Sequence, residues 1–432
     1  MRGTRPGATA RDEEDRRGVG NTASATREGA SGVELKADVA VVGAGAAGLS
    51  LAVRLARPPT GAEPPRTVLL AAPPGPVRTA PRTWCFWEPD GGPYDGELTA
   101  SWERLRVHGT DGTAVTTSTT PLRYKMLRSD AFEAMAERAA ADSGGRVTRV
   151  EAAVHRITPA QGGAVVVHAR RSDGTEVTVR ARHVFDSRPL PRLPPARTTL
   201  LQHFRGWFVR TTGPAFEPSV VELMDFRTPQ PARGLSFGYV LPVGPSEALV
   251  EYTEFSHRPL DCAAYDKALR DYSTRVLGLD GYEVIGCEQG VVPMTDAVFP
   301  RRTAPGVYRI GACAGATRPS TGYTFSAVQR QTCVVAAALH DGRDPLPPRP
   351  HPARARLMDA TLLHALDRGR VDGPAFFTRL FTAVPTPRLL RFLDGRTGLT
   401  EDLGIGLHVP VAAMLVSALS LPFTPRRSPP AV

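Results

Sequence analysis

The sequence predicts a mixed α/β protein with two lobes and a helical C-terminal region. Three features predict it: a short apolar strand running into Gly43-Ala44-Gly45-Ala46-Ala47-Gly48 and then a helix, a block of alternating strands between Leu201 and Thr253, and helical periodicity beyond Met358. At 432 residues the chain is long enough to bury more than one core.

Taken in order, the first segment, Met1 to about Gly32, is rich in Arg, Gly, Ala, Thr and acids and nearly free of large apolar side chains, which predicts a disordered tail over residues 1–34. The Arg16-Arg17 pair is not followed by an apolar run, so no twin-arginine export signal is expected. Asp38-Val39-Ala40-Val41-Val42 reads as a strand, and the residues from Ala46 to Ala52 as the helix after it. A strand before and a helix after are the context in which Gly-x-Gly-x-x-Gly marks a Rossmann-like dinucleotide fold. Gly43 allows the tight turn, Gly45 lets a pyrophosphate approach the backbone, and Gly48 lets helix pack on strand; Ala46, at the helix start, is grouped with them. The second strand, Thr67-Val68-Leu69-Leu70, runs on into Ala71-Ala72-Pro73, where an acid for the adenosine ribose is expected. Glu63 lies before that strand and is a poor substitute.

Leu122 to Ala136 changes from strand-like to helical, with Ser129 or Asp130 a good N-cap and Arg128 just ahead of it. Strands follow around Val147 to Val154 and Gly163 to Val179, and Ala181 to Phe185 ends in Asp186-Ser187-Arg188-Pro189, where proline halts the ladder. Four antiparallel strands come next, at Gln202–Val209, Val221–Arg227, Leu235–Val243 and Ala248–Thr253, a sheet suited to form one wall of a substrate cavity. Asp225 and Arg227 share a strand face at a spacing of two.

Arg309 to Phe325 is the most informative stretch. Two-domain flavoproteins end a strand with Gly-Asp and carry a Gly-rich turn and a proline before a helix whose N-terminus faces the flavin. Here Ala312 stands where that Asp would be. Gly311 and Gly315 permit close turns, and Thr321-Gly322 leads to a helix whose free N–H groups favour an anionic partner. Gly43, Gly45, Ala46, Gly48, Gly311, Gly315, Thr321 and Gly322 are therefore the expected FAD contacts. Arg128 joins them, because hydroxylase-type flavoproteins place an arginine at the corresponding spot against the cofactor.

Several prolines follow His340, then helical patterns at Met358–Leu366 and Phe376–Leu393. Gly404 to Phe423 approaches the roughly 20 apolar residues a membrane span needs, but His408 and Pro410 interrupt it. Its expected role is a buried helix packed on its own domain. The competing role is a surface that dips into the bilayer, helped by Arg426 and Arg427.

Composition narrows the function classes. The net charge is +10, with lysine only at Lys36, Lys125 and Lys267, and the arginines are spread rather than gathered in a nucleic-acid module. A solvated surface or attraction to anionic lipids is expected, and no nucleic acid. Cys85, Cys262, Cys287, Cys313 and Cys333 show neither metal-ligand spacing nor an even framework, which predicts no metal, no disulfides and a reducing cytoplasmic setting.

From about Ala37 to Ser420 the chain resembles the lycopene beta-cyclases. The marks are Arg82-Thr83-Trp84-Cys85-Phe86-Trp87-Glu88, Tyr124-Lys125-Met126-Leu127-Arg128, Phe185-Asp186-Ser187-Arg188-Pro189, Gln202-His203-Phe204-Arg205-Gly206-Trp207, Met224-Asp225-Phe226-Arg227, Phe237-Gly238-Tyr239-Val240-Leu241-Pro242, Val292-Pro293-Met294-Thr295-Asp296 and Pro319 to Phe325, all in the family's order. The resemblance implies a discontinuous FAD-binding domain (35–72, 123–190, 300–345), a substrate-binding domain (73–122, 191–299) and a helical region (346–432) with a candidate membrane face.

It also implies a redox-neutral cyclisation of lycopene and other linear carotenes with reduced FAD, NAD(P)H as the reductant, and peripheral association with the inner face of the plasma membrane. Glu251 in Val250-Glu251-Tyr252-Thr253 is the implied acid, since the family motif places Glu before a second acid and Thr; Tyr252 replaces that second acid. A carboxyl in an apolar cavity has its pKa raised, which suits a general acid near neutrality. Asp225 and Arg227 are the accompanying catalytic candidates, paired with each other or holding the site, and Glu88 has the same two readings. Trp84, Phe86, Trp87, Trp207, Phe208, Phe237 and Tyr239 are candidates for facing a carbocation, with core packing as the alternative. The rival functions are an FAD-dependent monooxygenase acting on an apolar isoprenoid or aromatic compound, and a non-catalytic carotenoid-binding protein.

Overall fold

The computed structural model describes residues 32–59 and 63–429. The disordered tail expected at 1–34 falls outside them for residues 1–31, whereas Val33 and Glu34 already belong to a strand.

In chain order the elements are β1 (Val33–Lys36), β2 (Val39–Val42), α1 (Ala46–Ala56), β3 (Thr67–Ala71), β4 (Thr83–Glu88), β5 (Ala100–Trp102), β6 (Arg104–His108), β7 (Ala114–Ser118), β8 (Arg123–Arg128) and α2 (Ser129–Asp142). Next come β9 (Val147–Glu151), β10 (Ala153–Pro159), β11 (Val165–Arg170), β12 (Glu176–Ala181), β13 (His183–Asp186), β14 (Thr199–Thr211), β15 (Val220–Asp225), β16 (Leu235–Pro242), β17 (Glu247–Ser256), α3 (Cys262–Asp271) and β18 (Tyr282–Thr295). The chain closes with β19 (Arg302–Ala304), β20 (Val307–Arg309), α4 (Phe325–His340), α5 (Ala353–Asp367), α6 (Gly373–Ala383), α7 (Thr386–Leu393), α8 (Leu399–Gly406) and α9 (Val411–Ser420).

A six-stranded sheet in the order β19-β20-β13-β2-β3-β9 is parallel except for β19. Its strands are apolar on both faces because α1, α2 and α4 cover one face and the four-stranded sheet β1-β12-β11-β10 packs on the other. The glycine motif works as its spacing predicts. Gly43 takes φ +99°, and a Cβ on Gly48 would lie 1.8 Å from the Gly43 carbonyl oxygen, so only glycine lets α1 sit this close to the β2 turn.

The second large sheet, β18-β14-β17-β16-β15-β6-β7, is mostly antiparallel. One face packs Trp207, Val209, Val240, Val250 and Tyr252 against Tyr265, Leu269 and Tyr272 of the α3 segment. The other carries Phe237, Leu249 and Phe255 toward the C-terminal helices, where Phe377, Leu380, Phe381 and Leu390 complete the largest core. Residues 73–122, expected as one stretch of the substrate lobe, divide between sheets: β6 and β7 join the large one, while β4 and β5 pair with β8.

β18 is among the elements the sequence did not reveal, with β4 to β7 and α3. Gly286, Gly290 and Pro293 break its alternation, and an edge position tolerates them because only one side of the strand must pair. The C-terminal segment also departs from expectation. Gly404–Phe423 does not form a buried helix: α8 and α9 bend by 118° at His408–Pro410, and Ser417 is the one buried residue of α9.

Candidate active site

A cavity of about 440 Å³ lies where both large sheets and the C-terminal helices converge, a volume typical of small-molecule sites. Its lining divides into two chemically different ends.

At the first end are Gly45, Ala46 and Ala47 at the start of α1, with Ser187, Gly311, Ala312, Thr321 and Gly322. The α1 N-terminus has no side-chain cap and no acid in its first turn, so its free N–H groups are open to an anion. A Cβ on Gly45 would meet nothing within 4 Å, because the residue faces open space. Gly311 (φ +76°) passes so close to α1 that a Cβ would lie 2.6 Å from the Ala47 Cβ. Thr321 Oγ1 and Gln202 Oε1 are buried, face the cavity and have no hydrogen-bond partner among the described residues. Open backbone donors at one place and orphaned polar atoms at another fit a dinucleotide such as FAD. β3 ends without an acid as expected; its last residue, Ala71, stands in register with Glu151, which Arg78 holds at 3.2 Å. Glu63 is bound to Arg146.

The 318–323 loop at this end is anchored from below. Arg318, buried at 2% exposure, pairs with Asp359 of α5 at 2.8 Å, and Ser320 Oγ donates to the same carboxylate at 2.7 Å. The Arg318 carbonyl accepts from Gly322 N–H at 2.9 Å, which sets the left-handed turn at Gly322. A Cβ there would strike Gln202 Oε1 at 2.0 Å.

The second end is aromatic and acidic. Strand alternation on β17 aims Leu249, Glu251 and Phe255 into the cavity, joined by Phe237 and Tyr239 of β16, Phe204 of β14 and Glu288 of β18. Tyr124 and Tyr239 share a hydrogen bond between hydroxyls at 2.7 Å. Glu251 is buried, and its one hydrogen bond among the described residues comes from Thr253 Oγ1 at 2.6 Å. Burial, reinforced by the nearby Glu288 carboxylate, pushes the Glu251 pKa up to about 8 against a slight pull from Thr253. Burial also raises the pKa of Glu288, opposed by the hydrogen bond from Thr83 Oγ1 at 2.7 Å and by the Arg128 and Arg82 charges.

The structure does not bring every expected residue here. Asp225 lies on the reverse face of the sheet, where it accepts from the Arg227 N–H (3.1 Å), from its Nε (2.9 Å) and from the Tyr272 hydroxyl (2.9 Å). The reason is a bulge between Glu222 and Asp225, which gives the cavity side to Leu223 and Met224. Burial alone would raise the Asp225 carboxyl, but Arg227 and Tyr272 outweigh it and leave the pKa below the usual carboxylate range. Asp225, buried, and Arg227, with its side chain 31% exposed, thus pair with each other behind the cavity wall. Glu88 is likewise off the cavity, bound to the buried Lys125 at 3.2 Å. Arg128 stands at the start of α2 as expected, but its guanidinium packs 4.6 Å over the Phe208 ring and does not line the cavity. Gly315 takes φ +80° to close a turn against Phe299, beside a smaller cavity.

Of the aromatic candidates, Trp84, Phe237 and Tyr239 line the cavity. Trp84 and Phe86 both stack on Phe325, at 5.7 and 4.6 Å between centroids, while Trp87 and Trp207 pack in cores. Thr83, Tyr124 and Gln202, which the sequence offered only inside longer family marks and not as site residues, also line the cavity, as does Glu288, which it did not name. Glu288 had an available signal, its place four residues before the Val292-Pro293-Met294 mark.

Beyond the cavity, α8 and α9 present an apolar surface to solvent: Leu403, Leu407 (75% exposed), Val411, Leu415, Leu419 and the following Phe423 (88%). α9 is inverted relative to a normal surface helix, since Ser417 and Ser420 face inward and accept from Arg370 at 3.2 and 2.9 Å. Among the described residues no single helix is long and apolar enough to cross a membrane.

Comparison with known proteins agrees with this geometry. The family model described as lycopene cyclase protein matches residues 38–419. Among solved structures, a flavoprotein/dehydrogenase from Cytophaga hutchinsonii is similar with a TM-score of 0.59 at 12% identity, covering 90% of this chain and 99% of that one. A geranylgeranyl bacteriochlorophyll reductase-like protein from Thermoplasma acidophilum gives 0.56 at 14%, covering 90% and 100%. An aklavinone-11 hydroxylase solved with FAD and aklavinone gives 0.53 at 17%, covering 85% and 72%. No curated protein matches. At these identities the likeness establishes the fold, that of the FAD-dependent flavoproteins with a mixed α/β body and a helical C-terminal region.

Proposed function

The chain belongs to the lycopene cyclase family, and from that premise we propose that it closes the linear ends of lycopene into β-ionone rings by redox-neutral acid–base catalysis, with reduced FAD bound. The observation that supports this most is Glu251: a carboxyl buried in an aromatic cavity, with a pKa of about 8 that keeps it protonated at neutral pH. A general acid of this kind contributes about 10²–10⁴-fold to rate. Its proton goes to the terminal double bond, the neighbouring double bond attacks the tertiary cation, and loss of another proton completes the ring.

The apolar walls exclude water that would trap the cation, and the ring faces of Phe237, Tyr239 and Trp84 stabilise it. Gly45, Ala46, Gly311, Thr321 and Gly322 would hold the FAD, Gly43 and Gly48 shaping the turn that presents them. Reduced FAD would add negative charge and exchangeable protons beside the reacting end; NAD(P)H is the proposed source of its electrons.

An apolar carotene resides in a bilayer, and the outward apolar face of α8 and α9 is suited to enter one at headgroup depth. We assign that face to peripheral membrane contact, on the cytoplasmic side given the unpaired cysteines.

The aklavinone-11 hydroxylase likeness favours a second reading, a monooxygenase on an apolar compound. Anaerobic incubation with lycopene in liposomes separates them. Ring-closed carotenes formed with reduced but not oxidised FAD support the cyclase; unchanged lycopene there, with oxygen-dependent NAD(P)H consumption in air, supports the monooxygenase.

A further inference from the structure

Position 252, where the family motif has its second acid, points away from the chemistry. Tyr252 packs on the reverse face of the sheet with Tyr265 and Leu269, its hydroxyl 3.4 Å from Glu254 Oε2. A carboxylate at that position would not reach the cavity.

The cavity has a second carboxyl all the same, and the sheet register places it. Gly206 of β14 pairs with Glu251 of β17 on one side and with Glu288 of β18 on the other. Residues directly opposite one another across strands point to the same face, so Glu251, Gly206 and Glu288 form one row facing the cavity. Two strand spacings separate the two glutamate backbones by about 10 Å. Between them Gly206 contributes no side chain, and the space is narrow: a Cβ there would come within 2.8 Å of Leu249 Cδ1 and 3.5 Å of Glu251 Cβ. The row is a slot with an acid group at each end and a bare floor.

The two ends are built differently. Glu251 has Thr253 as its hydrogen-bond donor and Glu288, Cys85 and Tyr323 as titratable neighbours, with no cation acting on it among the described residues. Glu288 accepts from Thr83 and feels the positive charges of Arg82 and Arg128, with Cys85 also near. Of the two, Glu288 is therefore the group that ionises first, and its charge in turn holds the proton on Glu251.

We propose that Glu288 is a second catalytic carboxyl, the base that ends the cyclisation. This rests on the cyclase reading. Glu251 gives its proton to the terminal double bond, a carbon–carbon bond forms, and the cation passes to the new ring. The Glu288 carboxylate then removes a proton from the carbon beside that cation, whose electron pair becomes the ring double bond. One proton enters the substrate and one leaves, no electrons are transferred, and exchange with solvent resets both carboxyls. The position of Glu288 relative to the ring thereby selects which proton is lost, and so which ring isomer forms.

Glu288→Gln tests this, since the amide still accepts from Thr83 and preserves the shape. Two readouts are taken on the FAD-loaded protein. Infrared titration of the Glu251 carboxyl needs no lycopene: with the neighbouring charge removed, its midpoint falls below that of the parent. Liposome assays on the variant give a rate about 10²–10⁴-fold lower, with residual product shifted toward isomers whose ring double bond lies elsewhere. Gly206→Ala adds a methyl to the slot floor, so it weakens turnover while leaving the Glu251 midpoint in place.

An unchanged midpoint, or an active parent whose Glu288→Gln variant keeps both rate and isomer ratio, overturns the proposal. A lower midpoint in a protein whose parent does not cyclise lycopene leaves the paired carboxyls standing, but removes the cyclase reading and the base role with it.

Discussion

Replacing Glu251 by glutamine has opposite effects on catalysis and on stability, and both follow from one buried proton. In the folded protein Glu251 has a pKa of about 8, against 4.5 for the unperturbed group. Below about pH 4.5 the carboxyl is protonated both folded and unfolded, and its burial carries no linked penalty. Between about 4.5 and 8 the unfolded chain releases the proton while the folded chain keeps it, so stability falls as pH rises, and above about 8 the loss is complete. At about 1.36 kcal/mol per tenfold change in proton affinity, the full effect reaches about 5 kcal/mol. Glu251→Gln removes that slope. Denaturant unfolding of parent and variant should therefore agree near pH 4.5 and diverge by pH 8, with the variant the more stable. The same variant should lose cyclisation by about 10²–10⁴-fold with flavin absorbance intact. Identical pH dependence of unfolding in the two proteins would refute a buried, protonated Glu251; undiminished turnover would refute its role as the acid.

Other expectations address separate parts of the structure. Gly45→Val puts a branched side chain into the open space before α1, so the purified variant should lack flavin absorbance while keeping its far-ultraviolet circular dichroism. Arg318→Ala strips the partner from the buried Asp359 and should cost about 3–5 kcal/mol in denaturant unfolding. Gly238→Ala places a Cβ 2.1 Å from the Tyr272 ring, and should lower stability by about 1–3 kcal/mol without altering the lining of the cavity. Leu415→Asp with Leu419→Asp charges only exposed positions, so folding should persist while sedimentation with anionic liposomes is lost.

What the sequence made legible was governed by local rules. Gly43, Gly45 and Gly48 sit between a strand and a helix because turn, close approach and packing each require a missing Cβ, and that pattern is contiguous. The strands β14 to β17 were legible from their alternation. What alternation does not say is which face looks into the cavity. Glu251 and Asp225 both sit in apolar strands, yet one bulge in β15 and the lid of Tyr272 put Asp225 behind the wall. β18 escaped because glycines and a proline interrupt it, and with it went Glu288, whose relation to Glu251 exists only through the register with Gly206. The α8–α9 segment was misjudged for a different reason: apolar helices usually face a core, and only the tertiary structure shows serines turned inward and leucines outward.

The central claim is that the chemistry moves protons and no electrons. Its most direct test is to run the reaction in deuterium oxide, with reduced FAD and lycopene in liposomes under anaerobic conditions, and to weigh the product by mass spectrometry. The account predicts ring-closed carotene carrying one solvent deuterium per ring in exchange for one substrate hydrogen, so one mass unit heavier per ring, with no oxygen added and no net loss of hydrogen. A product without solvent deuterium, or one that forms only when oxygen is admitted and carries an oxygen atom, would contradict it.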